Sequence, residues 1–230
     1  VNPPDISEAI FNTPNIINFF VALGTCSAVI VALISKKQTS FEATFALLLN
    51  QHNQALKELK NNPYYLPIVN NVLDATKSLA KQNDLFHKHD DVFGSYFRIL
   101  YHLLKFIDNN AGFHPFDISR KKIYTSLVRS QLDNEITLLL AINCSHANAG
   151  NQYQNYKLLI ERYSMLEHLI LKNESLIKYR PLYISEDYIM KRIADIMTSP
   201  TKTMLEEIAS TYIPQAFGSN PDFKKLIINK

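Results

Sequence analysis

Residues 16–34 read IINFFVALGTCSAVIVALI, 19 residues with no charge and a single amide, Asn18. As an α-helix rising about 1.5 Å per residue, the stretch covers roughly 28 Å, close to a bilayer hydrocarbon core of about 30 Å. Asn18 stands near one end, where an amide reaches headgroups. Ser35, Lys36 and Lys37 follow at once, whereas residues 1–15 carry Asp5 and Glu8 and no Lys or Arg. The positive-inside rule then predicts a transmembrane helix over 16–35 with everything after it cytoplasmic. A buried core helix of a soluble protein is the competing reading. A cleaved signal peptide fits worse, because the basic flank is on the wrong side.

Outward from this stretch the chain changes character. Residues 1–35 carry a charge of −2, and the remainder, with all 24 basic and 19 acidic residues, carries +5. That surplus forms no dense Lys/Arg stripe, so no nucleic-acid partner is expected. Lys36 and Lys37 sit where anionic headgroups would meet them, and the lipid bilayer is the expected partner. Gly24 and Ala28, four apart, make a small-xxx-small pair that permits helix association and hence a homo-oligomer. The chain opens on Val1. We expect a missing upstream piece with another membrane helix, which would make residues 1–15 a short non-cytoplasmic segment.

Only 5 Gly, no Trp and 47% apolar residues favour helices joined by short polar turns. The 2 cysteines, Cys26 and Cys144, give no disulfide framework. Thr39 and Glu42 have capping-box spacing and predict a new helix start. Phe41, Phe45, Leu48, Leu49, His52, Leu56 and Leu59 then recur at helical steps. A second helix is predicted over 66–86, and a central one over 93–108 (FGSYFRILYHLLKFID). Residues 109–115 read as a loop, 121–131 as a helix, and Asp133 as the cap of a helix running to Cys144. Residues 146–150 close it, 153–171 form one long amphipathic helix, and 186–197 and 202–209 two shorter ones. The expected fold class is all-α, a transmembrane helix followed by a cytoplasmic helical bundle. Its expected segments are 39–171 and a C-terminal extension, 172–230.

Four stretches carry a family resemblance: FEATFALLLNQHNQAL (41–56), SYFRILYHLLKFID (95–108), KKIYTSLVRSQLDNEITLLLAINC (121–144) and KLLIERYSMLEHL (157–169). In content, order and spacing they resemble the putative phage abortive infection protein family of bacterial defence loci. The resemblance runs to about Leu171 and leaves the last 60 residues unassigned. It implies membrane helices ahead of a helical cytoplasmic domain, a bacterial inner-membrane location and a role in phage resistance. It supplies no biochemical mechanism. One departure is local: where the family would place Ser as a cap, this chain has Asp133, with Glu135 following early.

Charged groups in apolar helices are the remaining candidates. Arg98, Arg129 and Glu135 are read as an internal network with Glu161 or Asp108, since a buried guanidinium needs a partner. The same arginines suit a phosphate pocket. His52 reads as a core histidine with one hydrogen-bond partner. His87, His89, Asp90 and Asp91 form a cluster with metal-ligand chemistry and no second cluster at a telling distance. Arg162 and His168 have a spacing similar to that of helical HEPN-type ribonucleases, although Tyr163 stands where a polar residue is usual. No Gly-rich phosphate loop or nucleophile elbow occurs, so no cofactor is implied.

The sequence therefore predicts a membrane-anchored, non-enzymatic effector or sensor of abortive infection. A phage-derived trigger or a defence partner protein would act on its cytoplasmic bundle. A tethered ribonuclease using Arg162 and His168 is the alternative, as is an adaptor that recruits a separate toxin.

Overall fold

A computed structural model describes residues 13–110, 117–146, 153–172, 185–198 and 203–228. The described residues form helices and turns with no strand. The fold is all-α, a long apolar N-terminal helix followed by a helical bundle. The chain divides into two units, Val1–Ala46 and Leu47–Lys230. Helix α1 (Thr13–Asn61) is uninterrupted and supplies residues to both. The expected external segment, 1–15, falls almost wholly outside the described residues, as do 111–115 and 147–150 of the predicted loops over 109–115 and 146–150; Asn109 and Asn110 instead close a helix.

In the first unit, every residue from 17 to 37 is exposed. Among the described residues one helix is long and apolar enough to cross a membrane. Its most apolar window has mean hydropathy 2.3 and none of it is buried in the chain. A core helix of a soluble protein would bury that window. The hydroxyls within it are satisfied locally: Thr25 donates to the Val21 carbonyl and Ser27 to the Leu23 carbonyl, both at 2.8 Å.

The helix start predicted at Thr39 is not there. Thr39 Oγ1 donates back to the Ser35 carbonyl at 3.0 Å, the i−4 bond of a helix interior. A capping box acts only where the preceding residues leave the helix, and residues 35–38 contain neither Gly nor Pro to make them do so. Phe41 and Phe45 stack one turn apart and are both buried, as their spacing predicts.

The second unit begins with residues 47–61 of α1, whose inward positions include the fully buried His52 and the buried Leu59. It continues through α2 (Tyr65–Val72), α3 (Leu79–Lys88), α4 (Asp90–Asn110), α5 (Ile118–Arg129), α6 (Asn134–Asn143) and α7 (Gln154–Arg162). Helices α8 (Glu186–Thr198) and α9 (Met204–Thr211), a 3-10 turn (Pro214–Phe217) and α10 (Pro221–Ile228) complete it.

The single helix predicted over 66–86 is two. Asp74 accepts from the Thr76 amide and hydroxyl and from Lys77, tying a tight turn, and Ser78 then caps α3. Helix α4 is as apolar as expected, with Phe93, Leu100, Leu103, Leu104 and Ile107 fully buried. The most enclosed helix is α6, however, in which Ile136 to Asn143 are all buried. Asp133 caps its start by accepting from the Ile136 amide at 2.9 Å, as predicted.

A buried helix end needs partners for its last carbonyls. Asn83 Nδ2 donates to the carbonyls of Ile142 and Asn143, and the Tyr212 hydroxyl donates to that of Ala141. The C-terminal segment thus closes the core rather than trailing from it. The 3-10 turn and α10 are elements the sequence pattern did not reveal.

The long helix predicted over 153–171 ends at Arg162. Ser164 has φ +53°, and residues 163–168 turn. Arg129 takes the carbonyls of Tyr163 and Ser164, while Leu166 N–H donates to the Ala216 carbonyl at 3.0 Å. These outside partners replace the i−4 bonds that a continued helix would make.

Candidate functional site

Helix α4 presents Asp90, Gly94, Arg98, Tyr101 and His102 at three- and four-residue steps along one face. The end of α3 brings Phe86 and His87, the end of α6 brings Asn143, and the start of α7 brings Tyr153 and Tyr156. Together with Phe97 they line a cavity of about 680 Å³. That size falls within the range of small-molecule pockets.

Gly94 leaves room on this face of α4. A Cβ there would stand 2.2 Å from Asp90 Oδ1. The missing side chain lets the Asp90 carboxylate lie along the helix and meet Arg98 Nη1 at 3.1 Å, two turns on. Both partners are more than half exposed, at 64% for Arg98 and 53% for Asp90. They belong to the cavity mouth.

The walls are aromatic. His87 lies against Tyr153 at 4.8 Å between centroids, and Tyr101 against Tyr156 at 5.2 Å. Lys105 Nζ stands 5.7 Å over the Tyr101 ring. Burial lowers the His87 pKa, with the Asn143 backbone carbonyl and the Asp90 and Asp84 carboxylates opposing it. Burial also pushes the Tyr156 phenol well above its usual range. Tyr156 is 4% exposed, yet its hydroxyl has no hydrogen-bond partner among the described residues.

The residues singled out in the sequence are placed as follows. Arg98 faces the cavity mouth instead of an internal network with Glu161 or Asp108, because α4 turns its position toward solvent. Arg129 pairs with Glu167 at 2.7 Å, also not with either expected carboxylate. Glu135 accepts from the Tyr65 hydroxyl at 2.6 Å. The three are separate interactions. Asp108 is taken instead by Arg162, at 2.7 and 2.9 Å, and by the Tyr163 hydroxyl.

His52 is in the core with two partners rather than one. Its Nδ1 lies 3.2 Å from Asn53 Oδ1 and its Nε2 3.0 Å from the Tyr96 hydroxyl. An amide oxygen accepts, so Nδ1 carries the proton and the Tyr96 O–H donates to Nε2. Burial lowers the His52 pKa in keeping with this neutral form.

Arg162 closes α7 and His168 is exposed beyond the turn, so the two do not share one helix face. Among the described residues no three metal-ligating side chains converge, and His89 is the C-cap residue of α3. Gly24 is open, with nothing within 4 Å of the point where a Cβ would lie. The signal for the cavity that the sequence does carry is the Asp90, Gly94, Arg98 series, which has helical spacing around a glycine.

Comparison with known proteins matches residues 88–174 to the family model described as putative phage abortive infection protein. The match supports the family named from the sequence and covers α4 to α7. Of the stretches carrying the resemblance, 41–56 lies outside it. All cavity-lining residues except Phe86 and His87 lie inside it. No curated protein and no solved structure matches the chain.

Proposed function

With residues 88–174 matching the phage abortive infection family, we propose that this chain is a membrane-anchored antiphage protein whose cytoplasmic bundle responds to infection. The response acts on the bilayer through the N-terminal helix. The observation that carries the reading is the apolar window of α1, of which no part is buried in the chain. Exposed apolar surface on this scale is costly in water and is the ordinary state of a helix in lipid. The same helix supplies residues 47–61 to the bundle, where His52 is bonded to Tyr96 of α4. A change in bundle packing therefore reaches a segment covalently continuous with the membrane helix. A single span permeabilises a bilayer only as an oligomer, and Gly24 with Ala28 offers the face for close approach.

The test is membrane potential during phage infection, read by dye fluorescence in cells carrying the complete gene. The matched strain carries Gly24→Leu and Ala28→Leu. Early depolarisation in the first strain alone supports a membrane-acting effector. Protection without depolarisation rejects that reading and reduces the helix to a tether. The Gly24 substitution meets nothing in the chain's own packing and Ala28 is exposed, so neither change disturbs a contact within the chain.

A further inference from the structure

We propose that the cavity between α3, α4, α6 and α7 is a nucleotide site, with the heteroaromatic ring between its aromatic walls and the phosphate held along α4 by Arg98, His102 and Lys105. The inference stands whether or not α1 spans a bilayer. Three features of the cavity carry it.

The first is wall chemistry. Phe86, Phe97, Tyr101, Tyr153 and Tyr156 line one cavity of about 680 Å³. Tyr101 and Tyr153 are half-buried and the other three buried, so these two keep the ring surface on which a planar ligand stacks without regard to exact orientation. An aliphatic ligand would gain from the burial but would leave the polar groups of the same walls unanswered.

The second is the acceptor at the cavity mouth. Asp90, at the mouth, accepts from ring N–H or amino donors, as carboxylates do on base edges.

The third is the arrangement of donors outside the ring pocket. Arg98, His102 and Lys105 stand at steps of four and three residues and so share a face of α4. All three are exposed. Arg98 carries five N–H donors in a planar fork, and Asp90 meets it at Nη1 alone, at 3.1 Å. The fork suits a phosphate oxygen pair. The polarity of the site is thus ring inward, anion outward, and the ligand is a nucleotide or the phosphorylated end of a strand that presents the same groups.

The experiment is titration calorimetry of the full chain in mild detergent. The probes are GMP, AMP, the two matching nucleosides, inorganic phosphate and a short 5′-phosphorylated oligoribonucleotide. A mononucleotide is expected to saturate in the micromolar range and its nucleoside to bind at least about tenfold more weakly. Arg98→Gln should cut that difference to about threefold or less, with His102 and Lys105 left to meet the phosphate. Arg98 is exposed and outside the core, so the variant folds. Tyr153→Leu, which removes one ring face, should weaken nucleotide and nucleoside together by about tenfold. Tight binding of the oligoribonucleotide identifies a strand end as the source of the ligand, and exclusion of it identifies a free nucleotide. The proposal is overturned if no nucleotide or oligonucleotide saturates below about 1 mM, or if Arg98→Gln leaves the nucleotide preference intact.

Discussion

Replacing Arg129 with Met should destabilise the bundle by about 3 kcal/mol. Arg129 ends α5 with its side chain only 14% exposed, paired with Glu167, itself 19% exposed. It also donates to the Tyr163 carbonyl at 3.3 Å and the Ser164 carbonyl at 3.0 Å. Removing one member of a buried pair costs about 3–5 kcal/mol, and hydrogen bonds from a charged donor about 1.5–3 each. Two facts place the value at the low end. Glu167 keeps the Ser219 amide and hydroxyl as donors. The Arg129 Nε is already buried without an acceptor among the described residues, and that burden leaves with the side chain. For a unit of this size, about 3 kcal/mol lowers the melting temperature by about 6–12 °C. The assay is thermal unfolding of the full chain in detergent, followed by far-ultraviolet circular dichroism. Arg129→Lys should recover about half, because an ammonium reaches the carboxylate or the carbonyls but not the whole set. A loss below about 1 kcal/mol for the Met variant would refute the claim that Arg129 holds the break after α7.

Acid should act in two stages. His52 and His87 are both held below their usual 6.5, so the unfolded chain binds their protons first. Their stabilisation is complete above about pH 6.5 and declines as pH falls toward the folded values, by up to about 1.4 kcal/mol per pH unit for each. Asp74, Asp108 and Glu167 are also depressed, so a second loss begins only as pH falls below about 4. Denaturant titrations at a series of pH values check both, and a flat profile between about pH 6.5 and 5 would contradict the histidine assignment. Gly94→Ala should leave stability within about 1 kcal/mol, because the helix-propensity gain offsets the exposed Asp90–Arg98 pair that the new methyl displaces. A loss above about 2 kcal/mol on urea unfolding would mean that backbone, not a carboxylate, crowds Gly94. Asn220→Ala should cost about 2–3 kcal/mol. Its amide donates to the Leu169 carbonyl, and its oxygen accepts from the Asp222 and Phe223 amides. An unchanged midpoint in the same urea assay would show that residues 203–228 are not part of the cooperative unit.

What could be read from the sequence alone was local. The uncharged run at 16–34 specifies a helix whose whole circumference is apolar, and no distant residue is needed to make it one. Helix α4 and the Asp133 cap were equally visible, since periodicity and N-cap chemistry act within a few residues. His52 was legible as a core residue because its position repeats the apolar step of its own helix.

Tertiary structure decided the rest. Nothing within residues 153–171 announces a break at Ser164. It is imposed by Arg129, 35 residues earlier, and by the segment carrying Gln215 and Ala216, about 50 later. The partners of Arg98 and Arg129 escape the sequence for the same reason. A charge in an apolar helix shows that it needs a partner, not which of several carboxylates the packing will deliver. The cavity is the extreme case, because it is the space left where the ends of α3 and α6 and the start of α7 meet one face of α4. Its shape follows from helix lengths and crossing points set by the whole core, and no single stretch of the chain encodes those.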